Sequence, residues 1–198
     1  MRPAQAIEAG FIDPVDEANI VFRQVLDALA HPGRIVDIAQ PVRVPRGSLG
    51  RAAIGIAMAL ADFETPVWLD EAAAPAAAHL RFHCNCPIVS VPDQATFLFA
   101  AEAALIPALD GLPLGSDAYP DQGATLVVEV TTIEPDGALI LSGPGIEGNC
   151  RLEIAGLPDG FWEARAALAP LFPRGIDILL AAGDRLVALP RTTLVRRS

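Results

Sequence analysis

His79, His83, Cys84 and Cys86 place two imidazoles and two thiols within eight consecutive positions. These are the donor types that hold zinc, which takes thiolate sulfur and imidazole nitrogen in tetrahedral geometry. The context argues against it. Read as the end of a strand through LRFHCNCPIV, the segment points Cys84 and Cys86 to one face and His83 to the other. The usual second ligand pair is missing, since only His31 and Cys150 remain elsewhere. A CxC pair also lacks the geometry of an exchanging disulfide. The expectation is a set of structural cysteines at a strand end, with no metal.

Two other groups have the residue types for binding. LSGPGIEGN places Gly143, Gly145 and Gly148 after a strand, where exposed backbone N–H groups can receive an anion. It lacks the spacing of a dinucleotide fingerprint, and a turn with unusual dihedrals explains it equally. Arg174 and Arg191 flank the C-terminal hairpin, and Thr192 and Thr193 follow Arg191. A guanidinium beside hydroxyls can clamp an oxyanion or a partner's carboxylate, and pairing with Asp177 is the internal alternative. Arg174, Arg191, Thr192, Thr193, Gly143 and Gly145 are the candidate anion- or partner-binding residues. Asp62, Glu64 and Asp70 straddle the PVWL strand and read as caps and surface charge.

These groups must be positioned by regular elements. DEANIVFRQVLDALA carries Ala18, Val21, Phe22, Val25, Leu26 and Leu29 at helical spacing, with Asp16 as the expected N-cap. His31-Pro32-Gly33 stops that helix. Short strands are expected near 34–38 and 42–44, then a helix over 49–61 capped by Ser48 and apolar around most of its circumference. PVWL reads as a short strand and 71–78 as helix or loop. Strands are expected over 95–100, 124–133 and 138–143, the last two joined by a hairpin turn at Glu134-Pro135-Asp136-Gly137. A polar loop covers 112–123, a strand 150–154 and a helix 159–170. The C-terminal IDILLAAGDRLVALPRT is a hairpin about Gly183-Asp184. The pattern predicts one domain over 1–198, an α/β fold with a mixed sheet flanked by helices and much antiparallel pairing.

Composition narrows the function. The chain has 198 residues, a net charge of -10, and 14 basic residues, all of them arginine. Without lysine there is no Schiff-base chemistry. The acidity argues against a nucleic-acid surface. The longest apolar run, 52–61, is too short for a bilayer, and the N-terminus lacks a signal core. A cytoplasmic protein bound to neither membrane nor nucleic acid is expected.

The ordered set of short strings says more than any one of them. Phe22-Arg23, Pro32-Gly33, LAD at 60–62, TPVWL at 65–69 and LRFH at 80–83 run in series with Gln94-Ala95-Thr96-Phe97 and Gly123-Ala124-Thr125-Leu126. Gly143, Gly145-Ile146, Phe172-Pro173, Gly175-Ile176-Asp177 and Pro190-Arg191-Thr192-Thr193 complete it. In this combination the chain resembles, over nearly its whole length, the PhnH family, a component of the bacterial carbon–phosphorus lyase system for phosphonate use. Family members look to have threonine at the position of Cys84 and no cysteine at that of Cys86, which sets a family-wide role for CNC aside.

The resemblance implies a reduced pyridoxal-phosphate-dependent transferase fold that binds no cofactor. It further implies a homodimer that joins subunits G, I and J in a core complex. That assembly, with an ATP-binding subunit, replaces the adenine of ATP by an alkylphosphonate, giving α-D-ribose 1-alkylphosphonate 5-triphosphate. The J component later cleaves the carbon–phosphorus bond in a radical iron–sulfur step, and the first step is attributed mainly to the I component. The expected function is therefore an accessory subunit of this complex, not catalytic alone. The alternative is a subunit that contributes nucleotide- or phosphonate-binding residues at a shared interface. An unrelated small-molecule enzyme or regulator on the same fold is the third reading.

Overall fold

A computed structural model describes residues 10–38 and 49–198. The strand expected at 42–44 and the Ser48 cap lie outside them. The described elements in chain order are α1 (Pro14–Ala30), β1 (Val36–Asp37), α2 (Arg51–Leu60), β2 (Val67–Leu69), α3 (Ala77–Cys84), β3 (Ile88–Val89), β4 (Phe97–Ala100) and β5 (Thr125–Glu129). Then follow β6 (Thr132–Ser142), β7 (Cys150–Ala155), α4 (Phe161–Ala167), β8 (Asp177–Ala182), β9 (Arg185–Leu189) and β10 (Leu194–Arg197).

Seven strands form a mixed sheet in the order β1-β9-β8-β5-β4-β2-β3. From β3 through β8 every pairing is parallel, and only the β8–β9 hairpin and β1 run antiparallel. The expected α/β class with a mixed sheet flanked by helices is therefore observed. Parallel pairing dominates the main sheet more than the sequence suggested. The reason lies in the strands themselves. Leu98, Leu126, Ile178 and Val187 face one side and Phe99, Val127, Leu179 and Ala188 the other, all fully or almost fully buried. Strands apolar on both faces need cover on both faces, which parallel sheets in α/β proteins receive.

The two faces receive different cover. Phe99, Val127 and Leu179 pack under α1, α2 and α3, where Val21, Val25, Ala52 to Ala57 and Leu80 are buried. Leu98, Leu126, Leu180 and Leu189 pack against α4 and a second, antiparallel sheet of order β10-β6-β7. Ile133, Leu139, Leu141 and Leu152 bring that sheet onto the core, and Phe161 and Trp162 bring α4.

Local chemistry sets the helix ends. Asp13 caps α1, its Oδ1 accepting from the N–H groups of Val15 and Asp16 at 3.2 Å, with Pro14 at the first helical position. The helix so begins before the expected Asp16 cap. His31 ends it and Gly33 follows at φ +87°. The apolar stripe read from the sequence divides: Val21 and Val25 are buried, whereas Phe22 and Leu26 are 45% and 53% exposed.

Two further expectations are corrected. Glu134-Pro135-Asp136-Gly137 is not a hairpin turn but part of β6, with Asp136 at φ +61°. Pro135 and Leu139 both pair with Leu152, so the residues between them bulge and the strand continues along the same neighbour. Glu153 secures the bulge by accepting from Ala138 N–H at 2.9 Å, and Arg151 Nε donates to Gly137 O at 3.1 Å. LRFHCNC is the second correction, since His79 to Cys84 belong to a helix and not to a strand end.

At the C-terminal ends of the parallel strands, Asp70 is buried just after β2. Its Oδ1 accepts from Ala73 N–H at 2.6 Å and its Oδ2 from Glu102 N–H at 2.9 Å. One carboxylate thereby fixes the loops after β2 and β4. Asp70→Ala is expected to lower the unfolding free energy by roughly 2–4 kcal/mol, the loss of two charge-assisted bonds to donors that are buried or half-buried. Asp70→Asn, which keeps one acceptor, should lose less. Urea unfolding of the three proteins measures the order.

Candidate functional site

The C-terminal hairpin organises a highly connected polar group among the described residues. Asp177 opens β8, Arg191 follows β9, and the antiparallel pairing returns both to one edge of the sheet. Arg191 Nη2 donates to Asp177 Oδ2 at 2.8 Å and Nε to Oδ1 at 3.3 Å. The Arg191 backbone N–H donates to the same Oδ1 at 2.8 Å. Arg191 Nη1 reaches the carbonyls of Pro120, at 2.6 Å, and Pro173, at 3.3 Å. Gly123 gives it room, since a Cβ there would come within 3.0 Å of both Nη atoms. Of the two partners foreseen for Arg191, the structure provides Asp177.

Beside this pair lies a guanidinium that sequence reasoning missed. Arg165 on α4 is 9% exposed, with Nη1 donating to Thr193 O at 2.8 Å and Nη2 to Pro190 O at 2.9 Å. Burial pulls its pKa down to about 10, and Asp177 opposes the shift. In sequence it reads as an ordinary helix charge in FWEARAALA, and only the packing of α4 on β10 reveals it.

The six candidate residues are not all together. Arg174, Arg191 and Thr193 line one cavity of about 220 Å³ with α4. Thr192 and Arg191 line a second of about 370 Å³ with Pro120, Phe172 and Pro173. The Arg191 side chain is common to both. Gly143, at φ +136°, lies against the Thr192 carbonyl, where a Cβ would approach to 2.9 Å. Gly145 lies apart, packed on the Ala30 carbonyl and Pro32 at the end of α1.

The histidine–cysteine cluster sits on the opposite side of the main sheet. His79 and His83, one helical turn apart on α3, meet at a tilt of 54° with ring centroids 4.4 Å apart, and Phe82 meets His83 edge-on at 4.9 Å. Cys84 Sγ donates to Ala57 O at 3.8 Å, and Cys86 is buried. Its hydrogen bond with Cys86, and then burial, raise the Cys84 pKa, so it is a neutral thiol at physiological pH. Among the described residues no three His, Cys, Asp or Glu side chains gather as a metal would require. Asp62 and Asp70 act as caps: Asp62 Oδ1 accepts from Thr65 Oγ1 at 2.7 Å and Glu64 N–H at 2.9 Å, which lowers its pKa.

Glu129, the last residue of β5, is a second perturbed group. Burial raises its pKa to about 7, against the opposing effect of the Gly50 N–H, which donates to Oε1 at 2.8 Å.

The protein is of the α/β class, a mixed sheet flanked by helices with guanidiniums clustered at one side, and comparison with known proteins gives its family. The model of the bacterial phosphonate metabolism protein (PhnH) family matches residues 9–196, and the chain belongs to that family. It is 39% identical over 196 residues to the alpha-D-ribose 1-methylphosphonate 5-triphosphate synthase subunit PhnH of Rhizobium meliloti (strain 1021), covering 98% of each chain. It is 32% identical over 193 residues to a putative C-P lyase subunit protein, HtxG, of Stutzerimonas stutzeri, covering 98% of this chain and 93% of that one. No helix among the described residues is long and apolar enough to cross a membrane.

Two outcomes test the polar groups. Arg191→Lys removes the planar fork that serves Asp177 and two carbonyls together, and should cost about 1–3 kcal/mol in chemical denaturation. Glu129 has a folded pKa above its unfolded value, so the unfolded state releases its proton first as pH rises. Its stabilising contribution is full below about 4.5 and lost as pH passes through about 7. Glu129→Gln should therefore gain stability relative to wild type between pH 5 and pH 8, read from melting curves at both.

Proposed function

We propose that this chain is an accessory subunit of a carbon–phosphorus lyase core complex in the cytoplasm, acting in the formation of α-D-ribose 1-alkylphosphonate 5-triphosphate from ATP and an alkylphosphonate. In this reading it forms one domain, pairs with a second copy and joins subunits G, I and J. Its fold is a reduced form of the pyridoxal-phosphate-dependent transferases that has given up the cofactor. The end-to-end match to a relative whose name is that of a synthase subunit carries the reading. The absence of lysine supports it too, because no residue of the chain can form an internal aldimine.

The surface of α1 supports the reading. Val15, Phe22 and Leu26 recur at i, i+7 and i+11, and all three are exposed. That spacing gathers them on one face of the helix, turned away from the buried Val21, Val25 and Ala28. An apolar stripe of this kind is what subunit association buries. The reading assigns it to a partner subunit of the complex.

A tagged chain co-expressed with subunits G, I and J is expected to recover all three. Phe22→Glu with Leu26→Glu should reduce recovery at least about tenfold, since burying each side chain contributes roughly 1.5–3 kcal/mol. Its melting temperature should stay near that of the wild type. Turnover of ATP and methylphosphonate by the chain alone, or failure of the wild type to associate, would overturn the proposal.

A further inference from the structure

The cavity of about 220 Å³ beside α4 has three arginines in its lining and no carboxylate. The three cations are compensated unequally. Arg191 is held by Asp177. Arg174 Nε lies 3.3 Å from Asp117 Oδ1, but the two are not aligned for a hydrogen bond and the Asp117 side chain is 82% exposed. Arg165 has no acid within ion-pair distance among the described residues; its two hydrogen bonds go to carbonyls. A guanidinium carries five N–H donors, so Arg165 retains three after those bonds.

A second polar group shares this wall. Thr193 is 1% exposed, and its Oγ1 is buried without a hydrogen-bond partner among the described residues. A buried hydroxyl in that condition is unfavourable unless something else satisfies it. The rest of the lining is largely apolar, with Trp162, Leu168, Phe172 and Ile176 presenting aromatic and aliphatic surface. The volume is below the range of drug-sized ligand pockets, so it selects for a small occupant.

We propose that this cavity binds a small tetrahedral oxyanion carrying a short alkyl substituent, the anionic head at Arg165, Arg174 and Thr193 and the tail against Trp162 and Leu168. An anion there compensates Arg165, a buried cation with no acid within ion-pair distance among the described residues, and the apolar wall adds affinity for each carbon that leaves water. The inference deepens the proposed function by placing a binding site within this subunit. It rests on the cavity's own chemistry, so its test uses the isolated full-length chain and does not depend on assembly.

The probes are ethylphosphonate and inorganic phosphate, titrated calorimetrically into the wild type. Ethylphosphonate is expected to bind saturably, and at least about fivefold more tightly than phosphate through its buried ethyl group. Arg174→Gln should weaken both ligands by about tenfold, the loss of one charge-assisted contact. Ala166 is exposed at the cavity rim. Ala166→Trp should fill the space and abolish binding while leaving the melting temperature unchanged. Three results would each overturn the proposal: no saturable binding of ethylphosphonate at millimolar concentration, equal affinity for the two ligands, or unaltered binding by Ala166→Trp. Subunit co-purification reads the assembly separately, so failure of the one and of the other are told apart.

Discussion

The Arg191 guanidinium sits where four parts of the chain converge. It holds Asp177 at the start of β8, the Pro120 carbonyl before β5, the Pro173 carbonyl after α4 and, through its own backbone, the exit of β9. Asp177 meets it across the β8–β9 hairpin and Pro120 comes from 71 residues away, so the cluster forms only when the sheet register is correct. Once it forms, Thr192 and Thr193 follow at a fixed angle and direct the chain into β10. Thr193 O then meets Arg165, which anchors α4. The smaller sheet and α4 are thus held at their C-terminal side by consecutive guanidiniums and not by apolar burial alone. Gly123 and Gly175 are needed because the Arg191 side chain passes close to both.

The parts of this architecture legible in the sequence are those written by local chemistry. Pro32-Gly33 marks the end of α1, Gly183-Asp184 turns the β8–β9 hairpin, and the all-round apolarity of 52–57 foretells the buried α2. The misread parts are those that nonlocal contacts decide. Pro135-Asp136-Gly137 has the residues of a reversal, yet Leu152 pairs on both sides of it and the strand runs on. HLRFHC has weak periodicity in either sense, and its helix is settled by Leu80 packing in the core and by Asn85, at φ +55°, as its left-handed end. That reading also hid the one-turn spacing of His79 and His83. β10 went unrecognised because LVRR is short and half charged. Of the candidate site, the arginine–threonine string was visible, whereas Arg165 acquires meaning only from the helix that buries it.

Polar groups gather at both edges of the main sheet where its strands begin and end. The edge that receives the C-terminal ends of the parallel strands carries Asp70 and Glu129, each tied to backbone N–H groups. The opposite edge carries Arg165, Arg174 and Arg191, with Asp117 and Asp177 beside the last two. On a chain of net charge -10, Arg165 is the one of these three with no acid within ion-pair distance among the described residues.

The ends of the main sheet have their own consequence. Both outermost strands are described over only two residues, Val36–Asp37 and Ile88–Val89. Strands so short leave few backbone donors and acceptors in line, and a third chain laid alongside would find little to hydrogen-bond. In the smaller sheet the outer strands carry Arg151, Arg196 and Arg197, which discourage stacking by like charge. Growth by adding strands edge to edge is therefore poorly supported along either sheet, which directs contact with other molecules toward helix faces and side-chain clefts and guards an apolar, lysine-free chain against fibrous association.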